Sequence, residues 1–353
     1  LRNRVTMDDG EPLWFAYTAR NKKSVAVDLN TQEGREIFKE MAKKADVVIE
    51  AFRPGTFKRW GLDYNTLSAD NPGLIMTRVS GYGQYGPLGG QAGFGRTCQA
   101  FGGLTNLTGF PDRPPITTPY PLGDYNAALI GSYATMLALY QRDANNGTGQ
   151  EIDLAIYESV FRQLEFLAPE YHQKGRVRQR NEPFSANTGP TGTWQSKDGK
   201  WIAITITTDN VFRRMCKAIG RPELADDERY NTQRKRKVFE EDLSNILIEW
   251  VGCLAAKEVV EKLNKHDVPA SICMSIEDIF KDEHYKAREM LCELDHPRLG
   301  SLVVPGVVPK LSKTPGKIKS LGPSIGEHTE EVLERMLGYS NEDFQRLKDN
   351  KVI

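Results

Sequence analysis

Two short apolar runs constrain this chain more than any other feature: Asp46–Phe52 (Asp-Val-Val-Ile-Glu-Ala-Phe) and Gly73–Ser80 (Gly-Leu-Ile-Met-Thr-Arg-Val-Ser). Each has the length of a strand and lacks period-two alternation, as a strand covered on both faces of a parallel sheet does. Parallel neighbours need crossovers, and the flanking sequence supplies them. Ser24–Leu29 reads as a strand ahead of the pair. Asn30, with Glu33 three residues on, reads as a capping box. Gly34–Ala45 then carries Ile37, Phe38 and Met41 at helical spacing. Strand, helix, strand, connection, strand is the pattern of a doubly wound α/β sheet.

Glycine and proline thicken between Ser80 and Asp124, as in site-forming loops. Asn126–Arg142 is dense in Ala, Leu and Ile, so the composition predicts a long, buried helix. Asn145–Gly149 is a turn, Glu151–Ile156 a strand, and Tyr157 opens a further helix. The chain turns polar and irregular at 175–188, an expected linker. A strand at Trp201–Ile206 and charged helices near Val211–Ile219, Arg234–Val251 and Ala256–Lys265 read as a smaller α+β domain, with the charges on solvated faces. A last helix is expected near Glu330–Met336. The expected division is a large domain in 1–174, a linker in 175–188, a small domain in 189–286, and a return to the large domain in 287–353.

The 353 residues are enough for two domains. Lys+Arg and Asp+Glu are both 47, so no net basic field points to nucleic acid. No apolar run reaches membrane-spanning length, and no basic-then-apolar leader is visible. The five cysteines are widely spaced and form no metal-ligand pattern; they read as free thiols in a reducing, cytoplasmic setting, with no metal expected. Leu1–Arg4 does not read like the start of a domain, and the first βα unit of the sheet is not visible.

Six segments in order resemble the class III CoA-transferase family: Asn21–Val25, Glu50–Gly55 (Glu-Ala-Phe-Arg-Pro-Gly), Ser80–Gly83 (Ser-Gly-Tyr-Gly), Gly123–Tyr125 (Gly-Asp-Tyr), Gly147–Asp153 and Gly326–Thr329. Gly83–Gly86 and Leu337–Ser340 are most similar to the branch of that family that uses carnitine. The resemblance implies a Rossmann-like large domain built from both chain ends, a smaller α+β domain and an interlocked dimer, here without the family's first strand and its CoA-contacting turn. It implies acyl-CoA and small carboxylic acids as substrates, with no tightly bound cofactor.

The same resemblance makes Asp124 the nucleophile. A carboxylate attacks the thioester carbonyl, and the CoA thiolate returns to give an aspartyl thioester that an acceptor acid resolves. Asp124 lies at a helix start, which favours its ionised form, yet aspartate there is also a favoured N-cap. Gly189 and Gly192 fall where the family places a glycine loop over the nucleophile. Val27, Asn30, Phe52, Arg53 and Arg59 match CoA-contact positions, Ala92, Gly93, Phe94 and Gly95 match the stretch lining the adenine end, and Arg96 is a further phosphate candidate. His328 reads as structural.

Three rivals compete. An α-methylacyl-CoA racemase pairs its aspartate with a histidine about thirty residues earlier, where this chain has Phe94; no histidine precedes His172. A non-catalytic subunit of a heteromeric transferase would not need Asp124. A nucleotide-dependent dehydrogenase would show a Gly-x-Gly-x-x-Gly after a strand, and none is visible.

Overall fold

The computed structural model describes residues 13–145, 147–180, 182 and 189–353, arranged as two compact units. The first takes in the described residues up to Glu182 with His296–Gly300 and Lys317–Ile353; the second takes in those from 189 to Asp295 with Ser301–Gly316. Leu1–Arg4, Asn146 of the expected turn and 183–188 of the expected linker lie outside the described residues.

The first unit is α/β. The two apolar runs and the third strand form a parallel sheet, β1 (Val47–Glu50), β2 (Ile75–Ser80) and β3 (Glu151–Ala155), in that order, with Glu50 opposite Arg78 and Ser80 opposite Ala155. Helix α1 (Leu13–Thr18) opens the described chain and α2 (Gln32–Ala42) precedes β1. Short helices α3 (Thr56–Trp60) and α4 (Tyr64–Asp70) lead to β2; α5 (Gly95–Phe101), α6 (Leu104–Leu107) and α7 (Leu122–Ala144) lead to β3; α8 (Ile156–Phe161) and α9 (Leu167–Lys174) follow. The chain ends in α16 (Thr329–Leu337) and α17 (Asn341–Asp349), the second of which the sequence reading does not anticipate. Leu333, Phe344, Leu347 and Val352 pack with Ile37 of α2, so both ends of the chain share one core cluster.

Sheet faces explain the apolar runs. Val48 and Met76 pack with Phe57, Leu62 and Leu67 on one side. On the other, α7 lies close because its inward residues are small: an ideal Cβ on Gly131 would lie 2.9 Å from Leu154 Cδ2, and the buried hydroxyls of Thr77 and Thr135 are 2.8 Å apart. The expectation of a buried helix over Asn126–Arg142 holds for one face of α7 only. Gly123, Ala127, Gly131, Thr135 and Ala138 face the core, while Leu129, Tyr133, Met136 and Tyr140 are exposed on the opposite face.

Two local expectations also change. Ser24–Leu29 forms no strand. Its N–H groups go elsewhere: Ser24 N to His328 Nδ1 (3.3 Å), Ala26 N to Thr329 Oγ1 (2.9 Å) and Asp28 N to Val352 O (2.8 Å). The cap of α2 is Thr31, whose hydroxyl accepts from Gly34 N at 3.0 Å, whereas Asn30 turns to the Asp28 carboxylate.

The second unit holds an antiparallel sheet of β4 (Thr191–Gln195), β5 (Trp201–Thr205) and β6 (Ala270–Ile272), with helices α10 (Asp209–Ala218), α11 (Gln233–Val238), α12 (Glu240–Gly252) and α13 (Ala256–Asn264). Ile202, Ile204, Leu247 and Val259 are fully buried at its centre. The single helix expected over Arg234–Val251 is two. Thr232 caps the first, and Glu240, Glu241 and Asp242 supply the acidic first turn that favours a fresh helix start. Helices α14 (Ile276–Lys281) and α15 (Glu283–Ala287) precede a two-stranded sheet of β7 (Leu291–His296) and β8 (Gly300–Pro305). Most of 287–316 therefore groups with the second unit, and the return to the first comes at Lys317, later than the expected 287. Proline and glycine near 297 mark the connection between β7 and β8, where His296–Gly300 groups with the first unit before the chain returns to the second.

Candidate active site

In open parallel α/β sheets, ligands bind in the crevice outside the carboxyl ends of the strands. Here Glu50 ends β1 and leads into Ala51–Gly55, while Ser80 ends β2 and leads into Gly81–Gly95. Buried charge shapes the first turn. The Glu50 carboxylate accepts from Phe52 N at 2.7 Å and from Arg78 Nε at 2.8 Å, and Arg78 Nη1 reaches Glu151 at 2.8 Å. Phe52 stays half-exposed, in ring contact with Phe57 (5.4 Å, tilted) and edge-to-face with Trp60 (5.3 Å). Arg59 sits in α3 with its guanidinium 3.0 Å from Thr56 Oγ1. A cleft of about 290 Å³ opens beside this turn, lined by Lys58, Tyr64, Arg78, Gln84 and Glu151 among others; Asp124 is not in its lining.

The second loop is folded by glycines at close backbone approaches. An ideal Cβ on Gly81 would lie 2.6 Å from Gly93 Cα, so any side chain at either position would separate the two strands of the loop. Gly83 has φ +90°, its N–H donates to Ser80 Oγ (2.9 Å), and the next N–H, of Gln84, donates to the Asp153 carboxylate (3.0 Å). Arg53 Nε donates to Gly90 O at 2.9 Å, joining the loop after β1 to the loop after β2. Tyr82, Phe101 and Tyr157 stack edge-to-face behind it.

Asp124 is the third residue of α7, inside the first turn, and it is exposed. The N-cap is Pro121, which has no side-chain cap bond. The start of α7 is capped by a residue of α5. Gln99 is 2% exposed; with its amide oriented to satisfy the bonds, Oε1 accepts from Gly123 N (3.1 Å) and Leu122 N (3.3 Å). Its partner Thr118 stands 3.1 Å away. Asp124 also lies against the start of α5: an ideal Cβ on Gly95 would be 2.4 Å from Oδ2, 2.8 Å from Cγ and 2.9 Å from Oδ1. The beginnings of α5 and α7 thus meet at this carboxylate. Burial pushes the thiol of Cys98 up, and the charge of Asp124 adds to the effect.

The structure brings Phe52, Arg53, Arg59, Gly93, Gly95 and Asp124 into these two loops and the helices that follow them. Ala92 and Phe94 are exposed on the same stretch, as is Arg96 at the second position of α5. Val27 and Asn30 precede α2, and Val27 packs into the cluster with Ile37 and Leu333. Gly189 and Gly192 belong to the second unit; Gly192 is a residue of β4, opposite Ile204. His328 stands at the N-cap of α16 and accepts from Ser24 N, a structural contact. Gln99 is absent from the sequence reading, because nothing in Cys-Gln-Ala-Phe distinguishes a buried cap from a surface glutamine. Among the described residues, no cluster of three His, Cys, Asp or Glu could hold a metal, and no helix is long and apolar enough to cross a membrane.

A family model described as CoA-transferase family III matches residues 1–329. The chain is 46% identical over 346 residues to the succinyl-CoA–L-malate CoA-transferase alpha subunit of Chloroflexus aurantiacus, covering 98% of this chain and 80% of that protein. It is 44% identical over 347 residues to the beta subunit of a transferase of the same name from that organism, covering 98% and 85%. A crystal structure of a CAIB/BAIF family protein from Brucella suis superposes with a TM-score of 0.80 at 30% identity, covering 94% of this chain and 86% of that one.

Proposed function

The chain belongs to CoA-transferase family III, and from that premise we propose that it exchanges CoA between dicarboxylic acids through a covalent intermediate on Asp124. Asp124 carries the assignment: it is an exposed carboxylate at the meeting of two helix beginnings, in the Gly-Asp-Tyr motif, and the start of α7 is capped by Gln99. In the first half-reaction Asp124 attacks the acyl-CoA carbonyl, forming a mixed anhydride and releasing the CoA thiolate. The thiolate attacks the aspartyl carbonyl and expels the donor carboxylate, leaving an aspartyl-CoA thioester. The acceptor carboxylate attacks that thioester, forming a second anhydride and freeing the thiolate. Attack by the thiolate on the acceptor carbonyl gives the new acyl-CoA and restores Asp124. Every step is acyl transfer between groups of similar activation, with no water consumed and no net oxidation.

Arg53, Arg59 and Lys58 supply cations for the phosphates of CoA beside the half-exposed Phe52, which offers a face for its adenine end. The acids follow from the activity named for the similar Chloroflexus proteins: succinate as donor and a C4 hydroxy-dicarboxylate as acceptor, in place of the carnitine suggested by Gly83–Gly86. The exposed apolar face of α7, with Leu129, Tyr133, Met136 and Tyr140, supports a dimer, interlocked as the family resemblance implies. Near-equal likeness to an alpha and a beta subunit favours, as a second reading, a heteromer of two such chains. Cys98 and Cys216 are buried free thiols, in keeping with a cytoplasmic setting.

The test is exchange itself. Incubated with succinyl-CoA and L-malate in D₂O, the protein is expected to form malyl-CoA and succinate in equal amounts, with no deuterium entering an acyl α-carbon. Deuterium incorporation without exchange would move the chain to the racemase branch despite Phe94. Sedimentation should give a species of two chains at micromolar concentration, and a stable monomer would remove the dimer.

A further inference from the structure

We propose that Gly95 is a positioning residue for the transfer reaction, its missing side chain being the space that the Asp124 carboxylate occupies. The inference rests on Asp124 being the nucleophile. Gly95 has no positive φ, so its backbone does not require glycine. What requires glycine is its neighbour: an ideal Cβ would stand 2.4 Å from Oδ2 and 2.9 Å from Oδ1, below the 3.0 Å that real Cβ contacts respect. The obstructing atoms are the far end of a flexible side chain, so the carboxylate can yield by rotation while the backbone of α5 and α7 stays in place.

That asymmetry sets the consequence apart from an ordinary packing defect. Gly95→Ala adds a better helix former at the first position of α5 and restricts the unfolded chain, so thermal stability should hold or rise slightly. The carboxylate must withdraw by roughly 0.6–1 Å, and misplacement of that size costs on the order of 10²-fold in rate.

The experiment compares wild type, Gly95→Ala and Gly95→Ser. It measures melting temperature, steady-state exchange, and the rate of aspartyl-CoA formation by intact mass after mixing with succinyl-CoA. The expected result is a kcat about 10²-fold lower in both variants, with slower adduct formation and a melting temperature that holds or rises slightly. Undiminished adduct formation in Gly95→Ala would overturn the proposal, as would loss of folding in both variants, which would show that the backbone and not the carboxylate yields. A wild-type protein that exchanges CoA but forms no adduct at Asp124 would instead refute the nucleophile assignment on which it stands.

Discussion

Asp124→Asn folds like the wild type and loses CoA transfer by on the order of 10⁴-fold or more, because an amide cannot take the covalent step and nothing beside it replaces a carboxylate. Asp124→Ala behaves the same way. The pair is informative because of where the residue sits. Were Asp124 the N-cap of α7, Ala would cost about 1 kcal/mol and Asn almost nothing. It is instead the third residue of a helix whose first N–H groups are held by Gln99, so neither variant uncaps α7, and both forfeit a charge–dipole term of roughly 0.3–1 kcal/mol. Hydroxylamine added during turnover should convert Asp124 to its hydroxamate in the wild type alone. An Asn variant that still transfers CoA, shown by mass to contain no deamidated aspartate, would end the covalent mechanism.

How far the sequence reveals this arrangement differs from element to element. β1 and β2 are legible because burial on both faces leaves an unbroken apolar run, a local signal. Ser24–Leu29 has a similar run but no strand, since its N–H groups are taken by His328, Thr329 and Val352 some three hundred residues away. Asp124 is visible through its motif, yet the residue that frees it from capping is not, because Gln99 acts across a tertiary contact. The two faces of α7 look alike in composition: Ala and Gly face the sheet, while Leu, Met and Tyr face outward, and both count as apolar. Close packing explains the inversion. A helix that must approach a sheet closely puts its smallest residues inward, and the large ones left outside need a partner surface.

Arg236 is the residue whose loss should weaken the second unit most. It lies in a run of basic residues, Gln-Arg-Lys-Arg-Lys, that reads as a solvated face, yet it is fully buried. Nε donates to Gly189 O (3.0 Å), Nη1 to Tyr230 O (2.9 Å) and Nη2 to Asp209 Oδ1 (2.7 Å), with the guanidinium 4.4 Å from the centroid of the Phe212 ring. Removing one partner of a buried pair costs about 3–5 kcal/mol when the other charge is stranded. Asp209 is partly exposed and can be rehydrated, so the cost comes chiefly from two carbonyls left without donors and the cavity beside Phe212. Arg236→Met, which refills most of the volume, should therefore destabilise by roughly 3 kcal/mol. Arg236→Lys keeps the charge but lacks the planar fork, and should recover only part of the loss. Urea unfolding followed by the fluorescence of Trp194 and Trp250 measures both. Wild-type stability in Arg236→Met would mean that the three bonds contribute nothing net and that volume alone matters at this position.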